Sequence, residues 1–311
     1  MHLAGKPLIV ILGPTAVGKT GVAIAVAKQL QGEIIGADSR QIYRYMDIGT
    51  AKPTSEQQTA VPHHLIDVVN PDENLSLADY QKLARSAIEN IHSRGLVPLL
   101  VGGTGQYITA LVEGWSIPQV APNEALRIEL EAFAKQEGAA ALHRRLEVID
   151  ANSAAKIDYR NVRRVIRALE VCLTTGEPIS ELQRKQPPDY DMLHIGLTIE
   201  RDLLYEQADK RIDMMMADGF LQEVERLLNA GYSRKLPSMS GLGYAELTAH
   251  LLDNLPLEEA VTRTKHNTHD FIRRQYTWFR GHDPGILWHN TSDISGEIMF
   301  DIIDDWLKEL G

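Results

Sequence analysis

Gly13-Pro14-Thr15-Ala16-Val17-Gly18-Lys19-Thr20 spells G-x-x-x-x-G-K-[ST] in full. The glycines allow successive backbone N–H groups to turn inward as an anion-binding concavity, and a helix beginning at once behind the loop adds its positive end. Lys19 would reach bridging or terminal phosphate oxygens, and the Thr20 hydroxyl suits Mg²⁺. The chemistry is that of a di- or triphosphate group. The motif leaves open which phosphorylated molecule carries it.

A carboxylate should stand opposite such a loop. Leu65-Ile66-Asp67 imitates the Walker-B strand end only weakly, because Val68-Val69 continue the apolar run, and Leu99-Leu100-Val101 ends on Gly102 instead of an acid. The acid at a strand end is Asp38, in Gly36-Ala37-Asp38-Ser39-Arg40-Gln41-Ile42-Tyr43. In an open α/β sheet the carboxyl ends of neighbouring strands converge on one crevice, so Asp38 would face the phosphate loop, placed for Mg²⁺ ligation or proton abstraction. A helix N-cap is the plainer role for the same residue. Gly102-Gly103-Thr104-Gly105 ends another strand at that crevice. It permits close backbone approach and offers the Thr104 hydroxyl, but a tight strand–helix turn would read the same way.

The elements that must position these groups follow from hydrophobic period. Residues 7–12 are a continuous apolar run, as expected for a strand buried on both faces of a parallel sheet. Residues 33–37 and 97–101 read as further strands, with helical spacing from 19 to 30 and from 77 to 92, the latter capped by Ser76 or Asn74. From 118 to 188 the pattern changes to helices alone, at 123–136, 139–148, 161–174 and 179–184. A returning strand at 192–199 precedes helices at 202–216, 221–230, 244–252 and 257–279; residues 285–288 would close the sheet, and an amphipathic helix at 295–310 ends the chain. The fold class is therefore α/β: a P-loop NTPase-like core (1–117 and 189–311) with a mostly parallel sheet flanked by helices, plus an α-helical insertion domain (118–188).

With 44% apolar and 24% charged residues among 311, the composition excludes collagen-like, coiled-coil and disordered classes. No apolar run is long enough to span a bilayer, and Met1-His2-Leu3-Ala4-Gly5-Lys6-Pro7 shows no signal-peptide pattern, so a cytoplasmic location and no membrane partner are expected. The single cysteine, Cys172, excludes an intrachain disulfide and a multi-cysteine zinc site. Net charge is −10, which argues weakly against nucleic acid, but it is unevenly spread. The acids Asp283, Asp293, Glu297, Asp301, Asp304, Asp305 and Glu309 crowd the tail. Basic clusters occupy 156–167 (Lys156, Arg160, Arg163, Arg164, Arg167) and 263–282 (Arg263, Lys265, Arg273, Arg274, Arg280). Arg160, Arg163, Arg164 and Arg167 recur at three- and four-residue spacing, one helix face with few acids to pair it, suited to phosphate contact or simply to solvent.

Taken together, the phosphate loop, the Ala37–Tyr43 segment, Met46-Asp47-Ile48-Gly49-Thr50-Ala51-Lys52-Pro53, Pro62-His63-His64-Leu65-Ile66-Asp67, Val101–Gly105, Arg163–Glu170, Arg211-Ile212-Asp213-Met214-Met215 and Gly241-Leu242-Gly243-Tyr244 resemble the bacterial tRNA dimethylallyltransferases, from about residue 7 to 280. The resemblance implies transfer of a dimethylallyl group from dimethylallyl diphosphate to N6 of the adenosine beside the anticodon, position 37. It implies that the loop from Gly13 to Thr20 holds the donor's diphosphate, which accounts for the missing Walker B. It gives Asp38 the role of base, with Thr104 at the reacting centre and Lys19, Arg211 and Mg²⁺ (through Thr20) neutralising the leaving diphosphate. It places the tRNA anticodon stem-loop on Asp38, Ser39, Arg40, Gln41, Thr104, Arg127, Arg163, Arg164, Arg167 and Ser240-Gly241-Leu242-Gly243-Tyr244. A monomer is expected.

Without the family, Arg211 beside Asp209 and Lys210 reads as a solvated helix charge, the aromatics Phe271, Tyr276, Trp278 and Phe279 as core packing, and His63, His64, His266 and His269 as structural rather than metal-binding. Met214-Met215-Met216 would be core or a lining for the isoprenoid. Three alternatives stay open: an adenylate isopentenyltransferase acting on a free nucleotide, a small-molecule P-loop kinase, and a nonenzymatic RNA-binding module. The Arg-bearing helical insertion favours a macromolecular acceptor. The acidic C-terminal helix carries no recognisable signature.

Overall fold

The computed structural model describes residues 5–282 and 285–310. The first four residues, Asp283 of the acidic tail, Pro284 and Gly311 lie outside them. Six strands form one sheet in the order β3-β2-β4-β1-β5-β6: β1 (Pro7–Leu12), β2 (Glu33–Ala37), β3 (His63–His64), β4 (Pro98–Gly102), β5 (Asp191–Thr198) and β6 (Leu287–Asn290). Every pairing is parallel. All six residues of β1 are buried, as a continuous apolar run at the centre of a sheet covered on both faces requires. The fold is α/β with a P-loop-like core, as expected.

Two elements depart from the sequence reading. No strand is expected between 37 and 97, and the run 65–69, only a weak Walker-B imitation, forms none: Leu65 (φ 64°) and Asp67 (φ 54°) take left-handed backbone conformations. The neighbouring His63 and His64 pair with Ile34 and Ile35 instead. The closing strand starts at Leu287, pairing with Ile195.

The final helix, Gly296–Leu310, presents Met299, Ile303 and Leu307 at four-residue spacing. They join Ala23, Val26 and Ala27 of the helix Lys19–Leu30 in the main core. The acidic tail thus braces the back of the helix that follows the phosphate loop, with most of its carboxylates facing away.

The chain divides into two compact units, Met1–Leu111 with Asp189–Gly311, and Val112–Pro188. The second begins before Pro118 because an antiparallel bridge pairs Trp115 with Lys185 and the Gly114 carbonyl accepts from Gln186 N (2.9 Å). It holds the helices Glu124–Glu137, Ala139–Ile149, Ala151–Ala154, Val162–Thr175 and Ile179–Leu182 around Leu130, Leu142, Leu146, Val165, Ile166 and Leu169. The basic face of Val162–Thr175 is less free than its spacing suggested. Glu170 is fully buried, and its carboxylate accepts from Arg127 (2.7 and 2.8 Å), Arg167 (2.6 Å) and Asn123 N (2.8 Å). Arg160 is paired with Asp158. Arg163 and Arg164 are exposed and have no side-chain partner among the described residues.

Burial pushes the Glu170 carboxyl up, but Arg127, the Asn123 N–H and Arg167 outweigh it and bring it to about 2. A carboxylate held below its unfolded value stabilises the fold above that unfolded value, and its contribution disappears as pH falls through the window from about 4.5 to 2. Glu170→Gln should therefore cost about 2 kcal/mol at pH 7, since both arginines are partly exposed and can turn to water. The penalty should shrink between pH 5 and 3 in urea titrations, and an unchanged penalty at pH 3 would overturn the assignment.

Candidate active site

Strand register decides which groups meet. Leu12 and Ala37 both stand opposite Gly102, so the chain leaves β1, β2 and β4 at one level, and Gly13, Asp38 and Gly103 are the first residues beyond. Gly102 is obligatory there: a Cβ would come within 2.1 Å of the Ala37 carbonyl oxygen. A Cβ on Gly103 would sit 2.4 Å from Gln275 Nε2, and one on Gly105 2.2 Å from the Trp278 ring. The Gly-Gly-Thr-Gly turn thus receives one face of the long helix Leu257–His282, with residues 275 and 278 one turn apart. Trp278 Nε1 donates to Thr109 Oγ1 (3.0 Å), so this aromatic packs the core, as do Ile272 and Phe279.

In the phosphate loop, Gly13 (φ 148°), Ala16 (φ 65°) and Gly18 (φ 94°) take positive φ, the alternation that turns amides inward. Lys19 Nζ folds back over the loop, donating to the Gly13 (3.0 Å) and Pro14 (2.6 Å) carbonyls. Burial lowers its pKa to about 7, with Asp38 opposing the shift and Arg211 adding to it. Val17 is buried and fixes the loop to the core.

Asp38 Oδ1 accepts from Arg40 N (2.8 Å) and Gln41 N (3.3 Å), so it caps a turn; no helix begins there, and the helix N-cap role falls away. Oδ2 has no protein partner among the described residues. Thr104 Oγ1 accepts from Ser39 N (2.9 Å) and lies 3.3 Å from Ser39 Oγ, while Thr104 N donates to the Ala37 carbonyl (3.1 Å). Asp38 and Thr104 are therefore knit into one turn. Arg40 is held by the Pro237 (2.7 Å) and Ser238 (3.4 Å) carbonyls, and Gln41 by those of Thr50 (3.1 Å) and Ala51 (3.0 Å).

Two adjoining cavities open here. One, of about 590 Å³, is lined by Lys19, Thr20 and the rest of the loop mouth with His63, Met214 and Gln275. The other, of about 340 Å³, is lined by Ser39, Arg40, Thr104, Ser240, Gly241, Leu242 and Tyr244. Thr15, Ala16, Asp38, Arg211 and Phe271 line both. Arg211, which local sequence made a solvated charge, is half-buried, and burial lowers its pKa against the pull of Asp38. Met214 and Met215 line one cavity each, while Met216 packs against the core around Phe220 and Tyr244, so the run is part cleft lining and part core. The Thr20 hydroxyl has no protein partner among the described residues, and with the free Oδ2 of Asp38 it offers hard oxygens in the same cavity, a donor set that suits Mg²⁺ completed by phosphate and water.

Sequence reading missed the groups that hold this arrangement. Buried Glu223 accepts from the backbone N–H of Asp47 (2.9 Å), Ile48 (2.9 Å) and Gly49 (3.1 Å) and from the Tyr244 hydroxyl (2.6 Å). Tyr244 is 1% exposed, so of the Ser240–Tyr244 segment it is the member fixed in the core. Asp67, the weak Walker-B candidate, pairs with buried Lys52 (2.7 Å), as does Asp47 (2.5 Å). A single charged or amide residue inside an amphipathic helix carries no local signal of such a role. The histidines have structural partners: His63 Nδ1 with the Val61 carbonyl (2.8 Å), His64 with Glu33 (2.7 Å) and His269 with Asp209 (2.9 Å).

The profile of the IPP transferase family matches residues 41–282. The tRNA dimethylallyltransferase of Roseiflexus sp. (strain RS-1) is 55% identical over 274 residues, covering 88% of this chain and 90% of that protein. Among solved structures, the full-length tRNA isopentenylpyrophosphate transferase of Bacillus halodurans is similar at a TM-score of 0.73 and 42% identity, with 98% of each chain covered. A eukaryotic dimethylallyltransferase captured acting on tRNA reaches a TM-score of 0.81 at 25% identity, over 97% of this chain and 80% of that one.

Proposed function

The chain belongs to the IPP transferase family, and from that premise we propose that it is a prenyltransferase moving the dimethylallyl group of dimethylallyl diphosphate to N6 of adenosine 37 in tRNA. The observation that carries this reading is the pair of adjoining cavities with Asp38 and Arg211 in the wall of both. A transfer between two substrates needs two compartments meeting at the reacting groups. The compartment with the phosphate loop takes the diphosphate, and the one lined by Arg40, Ser240 and Leu242 takes an adenine splayed from the anticodon loop.

An exocyclic adenine amine is a weak nucleophile because its lone pair is delocalised into the ring. The free oxygen of Asp38 accepts the N6 proton as the C–N bond forms, and the Thr104 hydroxyl hydrogen-bonds at the reacting centre. The C–O bond to the diphosphate breaks on the other side of the carbon. Lys19, Arg211 and the loop amides stabilise the charge gathering on that oxygen. Thr20 would hold Mg²⁺, which when bound supplies further neutralisation of the diphosphate.

In the helical unit, Arg163 and Arg164 supply free cations for backbone phosphates of the anticodon stem. Arg127 and Arg167 keep 38% and 37% of their side chains exposed while Glu170 fixes their orientation, so they can contact phosphate already aligned. No helix among the described residues is long and apolar enough to cross a membrane, and a cytoplasmic monomer suits a tRNA substrate.

The test incubates the purified chain with unmodified tRNA, Mg²⁺ and dimethylallyl diphosphate, then seeks N6-dimethylallyladenosine by mass spectrometry of digested RNA. Parallel samples replace tRNA by AMP and the donor by ATP. Product on tRNA alone is expected. Product on AMP alone would move the chain to the nucleotide-prenylating enzymes, and phosphate transfer from ATP would make it a kinase.

A further inference from the structure

The geometry points to Gln275 as a positioning residue that couples the phosphate loop to the turn carrying Thr104; this rests on the prenyl-transfer reading above. Gln275 lies in the C-terminal third of the helix Leu257–His282 and is 5% exposed. Its Oε1 accepts from Thr15 N (2.9 Å), inside the phosphate loop. Its Nε2 donates to the Gly103 carbonyl (2.8 Å), one residue before Thr104. The same amide lines the diphosphate cavity.

From there the connection runs in both directions. Thr104 is tied to Ala37 and Ser39, the residues on either side of Asp38. Thr15 sits between Pro14, whose carbonyl holds Lys19, and left-handed Ala16. One buried amide therefore sets the distance between the loop that holds the leaving group and the turn that holds the base and its hydroxyl partner. The absent side chain of Gly103 is what admits it.

The bridge needs an acceptor and a donor on a single planar group. Glutamine supplies both at this reach. Leucine supplies neither and leaves the part-buried Thr15 N–H and the buried Gly103 carbonyl unpaired. Glutamate keeps the bond to Thr15 N but turns a second acceptor toward the Gly103 oxygen, unless its carboxyl is protonated and can donate.

The test uses the full chain with Gln275→Leu and Gln275→Glu, measuring transfer kinetics, the affinity for inorganic diphosphate by calorimetry, and the affinity for tRNA. Gln275→Leu should raise KM for the donor and the Kd for diphosphate about tenfold and lower kcat by a similar factor, with tRNA affinity unchanged. Combined with Thr104→Ala, the loss should fall short of the product of the two single losses, because both act on one connection. Gln275→Glu should recover toward the parent as pH falls from 8 to 5.5. A lowered melting temperature with diphosphate Kd and kcat within twofold of the parent would overturn the proposal, as would multiplicative losses in the double variant. Should the parent chain modify no tRNA, the functional reading fails, and diphosphate binding still decides the role of Gln275.

Discussion

Asp38→Asn is expected to lower the rate of dimethylallyl transfer by about 10²–10⁴-fold while leaving tRNA affinity within a few-fold of the parent. Asparagine is the informative replacement because Asp38 has two separable tasks. Its Oδ1 caps the turn by accepting from Arg40 N and Gln41 N, and an amide oxygen does that as well as a carboxylate. Its Oδ2 is the atom without a protein partner in the cleft, and there asparagine presents NH₂, which cannot accept the N6 proton. Asp38→Ala removes both tasks and should add a turn-capping penalty of about 1 kcal/mol to the same kinetic loss. Single-turnover transfer on prebound tRNA and filter binding separate the two effects. An Asp38→Asn variant that turns over near the parent rate would remove Asp38 as the base.

The portion of this site legible in the sequence is the portion built on strand ends. A phosphate loop, an acid and a small-residue turn each follow an apolar β-run, and parallel strands bring such ends together whatever the helices do. The register Leu12–Gly102–Ala37 is the physical form of that expectation. What stayed illegible was held by single long-range contacts. The strand His63–His64 exists because Ile34 and Ile35 pair with it, not because it has a period of its own. The apolar stretch after it, set aside as a Walker-B strand end, is broken by two left-handed residues that no hydropathy pattern reveals. The turn Gly102–Gly105 does lead from a strand into a helix, Gly105–Val112, the plainer of its two readings, but the sequence reading does not extend to that helix.

Charge patterns misled in a consistent direction. Spacing put four arginines on one face and counted few acids to pair them, yet Arg160 lies ahead of the helix on Asp158, and Arg167 shares the buried Glu170 with Arg127 of another helix. Glu223 likewise looks like one more surface acid and instead collects four donors around the Met46–Pro53 segment. A buried carboxylate is stable only when surrounded by donors, and those donors come from distant segments, so sequence alone shows the acid without its partners. Arg211 follows the same pattern. Its acidic and basic neighbours suggested solvent, but its own position on the helix Arg201–Ala217 turns toward the cleft with Ile212 and Met215.

Lys19→Met should lower kcat/KM for the donor by about 10²–10³-fold, with losses in both kcat and KM. A methionine fills much the same volume without charge, so the loop keeps its packing while the cation disappears. In the ground state the donor already carries its diphosphate charge, and losing Lys19 weakens binding. As the C–O bond opens, the departing oxygen gains charge that was shared with carbon, and a cation at that oxygen is worth more in the transition state than before it. The kcat loss measures that difference. Lys19→Arg should not rescue the rate: the ammonium here lies within 3.0 Å of two loop carbonyls in a tight bend, and a planar guanidinium is too broad for that space. Arg211, in the wall of both cavities, remains in each variant and sets the residual activity. A Lys19→Met chain with the parent's kcat and a raised KM alone would mean that Lys19 only binds the diphosphate, and the charge of the departing group would then rest on Arg211.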